Sequence, residues 1–370
     1  MKKELKKNNK CFQVAVIGCG RISINHLKSI GMQSSRAKIA ALCDVDKDRI
    51  NNAIKILQTE NNLTNLDIQN ISIFKSYDDL ICDLKNGKLY LDLIVLTTPS
   101  GFHAQQVIKA SKVGVNVCTE KPMATKWEDG VSMLRACEEE GVKLFVVKQN
   151  RFNKTLQLLK KQIDRGRFGQ ISTVSINVFW QRPQSYYDQD KWRGTWELDG
   201  GALMNQATHY IDLLDWLIGP VHSLSASIAT LGRDIEVEDT AAIQLRWKNG
   251  ALGTMAVTML TFPKNLEGSI TILGENGSVK VAGKAVNKIE YWYFADKSND
   301  DDLLDEVNYE TSSVYGFGHP RYYDNLFNNL EGKEEAICDG REGLKSLELV
   351  IGAYRSAKKD KTIYFPLAKD

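Results

Sequence analysis

The sequence predicts two folds in tandem, a doubly wound α/β domain followed by an α+β domain with antiparallel strands, and three observations carry that reading. From Phe12 to about Val147, short apolar runs alternate with helix-like stretches: FQVAVIG, KIAALCD, LDLIVLTTP, VNVCTEKP and KLFVVKQ. Their Val, Ile and Leu residues are continuous rather than alternating, as strands buried on both faces of a parallel sheet require. Beyond Arg151, the runs ISTVSINVFWQ, VHSLSASIATL, DTAAIQLRW, ALGTMAVTML and GSITILG do alternate, and turn signals such as KNG and GENG separate them. One segment, ALMNQATHYIDLLDWLIG, interrupts the strands with apolar residues at helical spacing (Leu203, Ala207, Tyr210, Ile211, Leu214) before Gly219-Pro220 stops it.

A chain of 370 residues exceeds what one core organises. The expected division is a basic tail over 1–10, the first domain over 11–150, a substrate and oligomerisation domain over 151–339, and a C-terminal helix and strand over 340–370 packing back. Hydrophobic residues at 43% and charged residues at 25% are those of a folded globular chain. Forty-eight basic against 46 acidic residues leave +2, so no field of one sign calls for nucleic acid or an anionic membrane. The first ten residues carry five lysines, but no apolar leader segment follows them. No window approaches the ~18 apolar residues of a membrane span. The seven cysteines form no CxxC pair. That pattern predicts reduced thiols, no metal site and a cytoplasmic protein.

The first strand runs into Gly18-Cys19-Gly20-Arg21-Ile22-Ser23, and a helix follows at once. This is a phosphate-binding turn in its proper strand–turn–helix context. Gly18 permits the turn, Gly20 lets backbone approach a pyrophosphate, and the helix N-terminus offers N–H groups at Arg21 and Ile22. Asp44 ends the second strand, where a carboxylate accepts from ribose hydroxyls and repels a 2′-phosphate. Together these predict a Rossmann domain and NAD rather than NADP. Thr98, Pro99 and His103 follow the LDLIVLTTP strand at the carboxyl edge, where such sheets bind ligands, although His103 serves equally well as a packing histidine.

The strand VNVCTE ends in Glu120-Lys121-Pro122 at the same edge, over the nicotinamide position. An isolated EKP is usually a surface turn; here the lysine is placed to polarise a carbinol oxygen. Asn205 and His209 stand at i, i+4 in the interrupting segment, behind Gly200-Gly201 and ahead of Asp212 and Asp215. A polar stripe of that kind is costly in a core helix unless it meets a ligand. Histidine's ordinary pKa suits the base that alcohol oxidation needs.

These residues, with the segment GGALMNQATHYIDLLDW, resemble the Gfo/Idh/MocA family of sugar oxidoreductases over essentially the whole chain. The resemblance implies a second domain built on an open, mostly antiparallel sheet, with Lys121 and His209 catalytic in either assignment of base and alkoxide stabiliser. Many relatives carry aspartate at the Asn205 position, so the resemblance also implies that a tuning carboxylate is missing here. The fuller KWRGTWELDGGALMNQATHYIDLLDW is similar to the subgroup oxidising the 3-hydroxyl of UDP-N-acetylglucosaminuronic acid, on the way to bacterial surface polysaccharide. Such a nucleotide-sugar substrate needs cations, and Arg151, Lys191 and Arg193 are the candidates, with Asn205 and Gln206 beside them. A cyclitol or aldose dehydrogenase, and a non-catalytic NAD-binding sensor, are the competing expectations. Exposed sheet faces commonly pair between subunits, which predicts a homodimer or homotetramer.

Overall fold

The computed structural model describes residues 11–61, 63–311 and 315–368, and the basic tail expected over 1–10 lies outside them. Six parallel strands form the first sheet: β1 (Phe12–Ile17), β2 (Ala37–Cys43), β3 (Ser72–Phe74), β4 (Leu93–Leu96), β5 (Asn116–Thr119) and β6 (Leu144–Val146). Their order, β3-β2-β1-β4-β5-β6, reverses between β1 and β4. Val14 and Val16 enter one core with Leu27, Ile30 and Leu42, while Ala15 and Ile17 enter the other with Ile94, Val107 and Val117. Both faces are covered, which is why these strands read as unbroken apolar runs. β3 is an addition to the sequence reading.

The second sheet has eight strands: β7 (Ile171–Phe179), β8 (Val221–Ala229), β9 (Thr240–Trp247), β10 (Leu252–Thr258), β11 (Glu267–Gly274), β12 (Gly277–Ala282), β13 (Lys288–Phe294) and β14 (Ile363–Tyr364), in the order β13-β12-β11-β7-β10-β9-β8-β14. All its pairings are antiparallel except β7 with β10. Along β9, Ala241, Ile243, Leu245 and Trp247 are buried while Ala242, Gln244 and Arg246 are exposed, so one face meets the core and the other meets solvent.

The helix Gly340–Lys359 lies between the sheets. A Cβ at its Gly343 would meet Val146 of β6 at 2.4 Å, and one at Gly352 would meet Phe365, just past β14, at 2.5 Å. Small residues let it sit close on both sides. Among the described residues no helix is long and apolar enough to cross a membrane.

Candidate active site

A cavity of about 1050 Å³ opens over the carboxyl ends of the parallel strands, where their order reverses. Gly18 takes φ +88°, and a Cβ there would lie 2.9 Å from the Thr97 carbonyl, so conformation and space both require glycine. Gly20 faces open room instead, with only the Arg49 guanidinium at 4.0 Å. Gly18, Gly20, Arg21, Ile22, Asp44, Thr98 and Pro99 all border the cavity. Asp44 accepts the Cys19 N–H at 2.6 Å and the Asp46 N–H at 2.8 Å, which fixes its carboxylate in the wall. Arg49 is also in the wall, paired with Asp46 at 3.5 Å and Asp190 at 3.1 Å. A fixed acid beside a neutralised arginine fits the unphosphorylated ribose of NAD.

β5 delivers Glu120 and Lys121 to the same wall. Burial raises the Glu120 carboxyl, but the His26 hydrogen bond at 2.8 Å and the charges of His26 and Lys121 outweigh it and hold the group at about 2. Burial lowers the Lys121 ammonium against the pull of Glu120 and Asp199. His103 does not border the cavity: its two ring nitrogens sit 3.0 Å from the Pro122 and Thr98 carbonyls, clamping the loops that carry Lys121 and Pro99.

The interrupting segment is not the continuous helix its periodicity predicts. Gly200 takes φ +81°, and a Cβ on Gly201 would fall 1.8 Å from the buried Glu238 carboxylate. Successive turns occupy 202–207, a helix runs only from Thr208 to Leu213, and a π-helical turn follows over Leu214–Ile218. Asn205 therefore precedes the helix, and its carbonyl is left to Lys121, whose Nζ donates to Asn205 O at 2.8 Å and Oδ1 at 3.3 Å. His209 reaches the same cavity; burial, then the charge of Lys121, lowers its imidazole to about 3, so it is neutral at pH 7. Behind Asn205 stands a buried carboxylate, Asp199, which accepts from Asn205 Nδ2 and so backs Lys121 rather than the histidine. Burial raises Asp199 to about 6, opposed by the Gly194 N–H, Arg193, Asn205 and Lys121. Its position just ahead of the diglycine is the only sequence signal it gives.

Four further sequence candidates lie away from the cavity wall. Arg151 is buried and consumed by ion pairs with Asp212 at 2.7 Å and Glu342 at 2.8 Å, so it is a structural cation and not a substrate contact. Asp212, read as part of a ligand-facing stripe, belongs to that same ion-pair cluster. Gln206 is buried in the turns, and Lys191 is exposed. Arg193 does border the cavity, pairing with Asp190 at 3.2 Å and donating to the Tyr186 hydroxyl at 2.9 Å. Arg21, Arg182 and Arg193 converge on the Tyr186 ring, at 5.8, 5.5 and 4.6 Å from its centre. Arg182 is a residue the sequence reading missed.

The family models for the Gfo/Idh/MocA NAD-binding Rossmann fold and for the C-terminal alpha/beta domain match residues 12–148 and 160–365. The chain is similar to the WlbA dehydrogenase of Bordetella pertussis, solved with NADH and UDP-GlcNAcA: 52% identity, 97% of this chain and 99% of that one covered, TM-score 0.88. The WlbA dehydrogenase of Chromobacterium violaceum, solved with the same ligands, is 48% identical over 98% of both chains, also at TM-score 0.88. A D-apiose dehydrogenase of Paraburkholderia graminis is 25% identical over 96% of this chain and 90% of its own. Both domains of the chain thus belong to the Gfo/Idh/MocA family, and the protein is an NAD-dependent oxidoreductase.

Proposed function

We propose that the protein oxidises the 3-hydroxyl of UDP-N-acetylglucosaminuronic acid to the 3-keto sugar, in the synthesis of a bacterial surface-polysaccharide sugar. The observation that carries the substrate class is the gathering of arginines around Tyr186: Arg21 and Arg193 border the cavity with it, and Arg182 approaches the same ring. A pyrophosphate and a uronate need such cations, whereas a neutral cyclitol does not. The two WlbA structures, which share about half their residues with this chain, support the same choice.

Bound NAD supplies the acceptor for the hydride leaving C3. His209, neutral at pH 7, receives the hydroxyl proton on a ring nitrogen, and Lys121 Nζ donates to the same oxygen as negative charge builds there. Asp44 holds the adenosine ribose. The exposed face of the second sheet pairs copies of the chain into a dimer or tetramer, and the protein works in the cytoplasm.

The test is reduced-nicotinamide absorbance after mixing protein and NAD⁺ with the UDP-uronate, with myo-inositol or with glucose, in the presence and absence of a 2-oxoacid acceptor. Product formed only from the UDP-uronate is expected. Turnover of a cyclitol or free sugar alone overturns the substrate, and silence with every alcohol despite NAD binding points to a sensor.

A further inference from the structure

Lysine has three N–H donors, and two of those on Lys121 are committed within the chain, to the main-chain and side-chain oxygens of Asn205. An amide that turns its oxygen to an ammonium must find an acceptor for its NH₂ on the other side. Asp199 Oδ1 is that acceptor, while its Oδ2 takes the Gly194 N–H at 2.8 Å. Asp199 is 1% exposed, borders the same cavity as Lys121, Asn205 and His209, and makes no direct ion pair with Lys121.

We infer that Asp199 is a positioning residue for Lys121: acting through Asn205, it fixes the amide with its oxygen toward the ammonium and leaves one N–H for the substrate oxygen. An asparagine would cap Gly194 equally well and would avoid burying a charge. Only an ionised carboxylate accepts from every side, so only it forbids the flipped amide that would set NH₂ against NH₃⁺. The negative charge two bonds of the chain away also sustains an ammonium that burial disfavours. Glu120 acts on Lys121 in the same sense, while Arg21, Arg182 and the neighbouring His209 complete its charged and titratable surroundings.

The inference rests on Lys121 acting on the substrate oxygen, so the experiment has an arm that needs no substrate. Asp199→Asn, Asn205→Asp and the double variant are compared with wild type, which moves the carboxylate by one link. The pH dependence of Lys121 acylation by a small amine-reactive reagent, read by mass spectrometry, reports its pKa. In Asp199→Asn the profile is expected about one unit lower, and in the double variant it returns. Turnover of the UDP-uronate is expected to fall about 10²-fold in Asp199→Asn, mostly in kcat, and to recover at least tenfold in the double variant, with NAD binding constant throughout. An unshifted acylation profile in Asp199→Asn overturns the inference, as does a double variant no better than the single one in both arms. A shifted profile without wild-type turnover upholds it and discards the substrate instead.

Discussion

Two lysines, Lys148 buried and Lys121 half-buried, follow the carboxyl ends of neighbouring strands and meet their aspartates by different routes. Lys148, beyond β6, donates directly to Asp212 and to Ser346, and Arg151 grips the same carboxylate through Nε at 2.8 Å and Nη2 at 2.7 Å. Burial raises Asp212, but Arg151 and Lys148 overwhelm it and hold the carboxyl far below its ordinary range. That cluster joins the first domain to the helix Gly340–Lys359 through Ser346 and Glu342. Lys121, beyond β5, has an amide between itself and Asp199 and borders the cavity, which Lys148 does not. Direct pairing makes a pin; an interposed amide makes a tool.

Exchanging each lysine for methionine tests the contrast most strongly. Lys121→Met is expected to cut turnover by about 10²–10⁴-fold while leaving the melting temperature unchanged or higher, since a desolvated charge is removed. A turnover loss that merely tracks unfolding would erase the difference. Asp212→Asn leaves buried Lys148 without its anion and Arg151 with Glu342 alone, and calorimetry is expected to register a loss of about 3–5 kcal/mol. Lys148→Met should cost less, about 1–3 kcal/mol in denaturant titrations, because Arg151 still neutralises Asp212; a larger loss would make Lys148 the dominant partner.

The smallest effect sharpens the comparison with a third buried carboxylate. Glu238 pairs with no cation among the described residues and is raised by burial to about 7, against the Leu203 N–H and the Tyr354 hydroxyl. Its folded pKa lies above the unfolded one, so the folded state binds the extra proton. Stability from this group is present below about 4.5 and declines as pH rises through about 7. Glu238→Gln is expected to flatten that decline in melting temperature while changing stability at neutral pH by no more than about 1 kcal/mol.

The parallel strands and the dinucleotide turn were legible because their signals are local: continuous apolar runs, a glycine that must adopt positive φ, an acid at a strand end. β3 escaped notice as three partly exposed residues, and β13, at the sheet edge, buries neither face fully. The helix expected through Asn205 failed because periodicity does not register Glu238 pressing on Gly201, or Lys121 drawing off a carbonyl. Arg151 was legible as a cation and illegible as a pin, since its partners lie 61 and 191 residues away. Asp199 was quoted within its segment yet not singled out, because its role depends on the direction in which one amide points.

The helix Gly340–Lys359 touches both lysine neighbourhoods. Ser346 and Glu342 complete the pin, and the Tyr354 hydroxyl holds Glu238 at 3.0 Å and the Gly201 N–H at 3.3 Å, beneath the turns that present Asn205. On the ribosome this helix emerges after β13, when the parallel sheet and nearly all of the second sheet have already been made. The residues of the dinucleotide cradle are therefore synthesised well before the helix that braces the reaction centre, although Tyr322, Tyr323 and Phe327, which complete the core under β1, also come late.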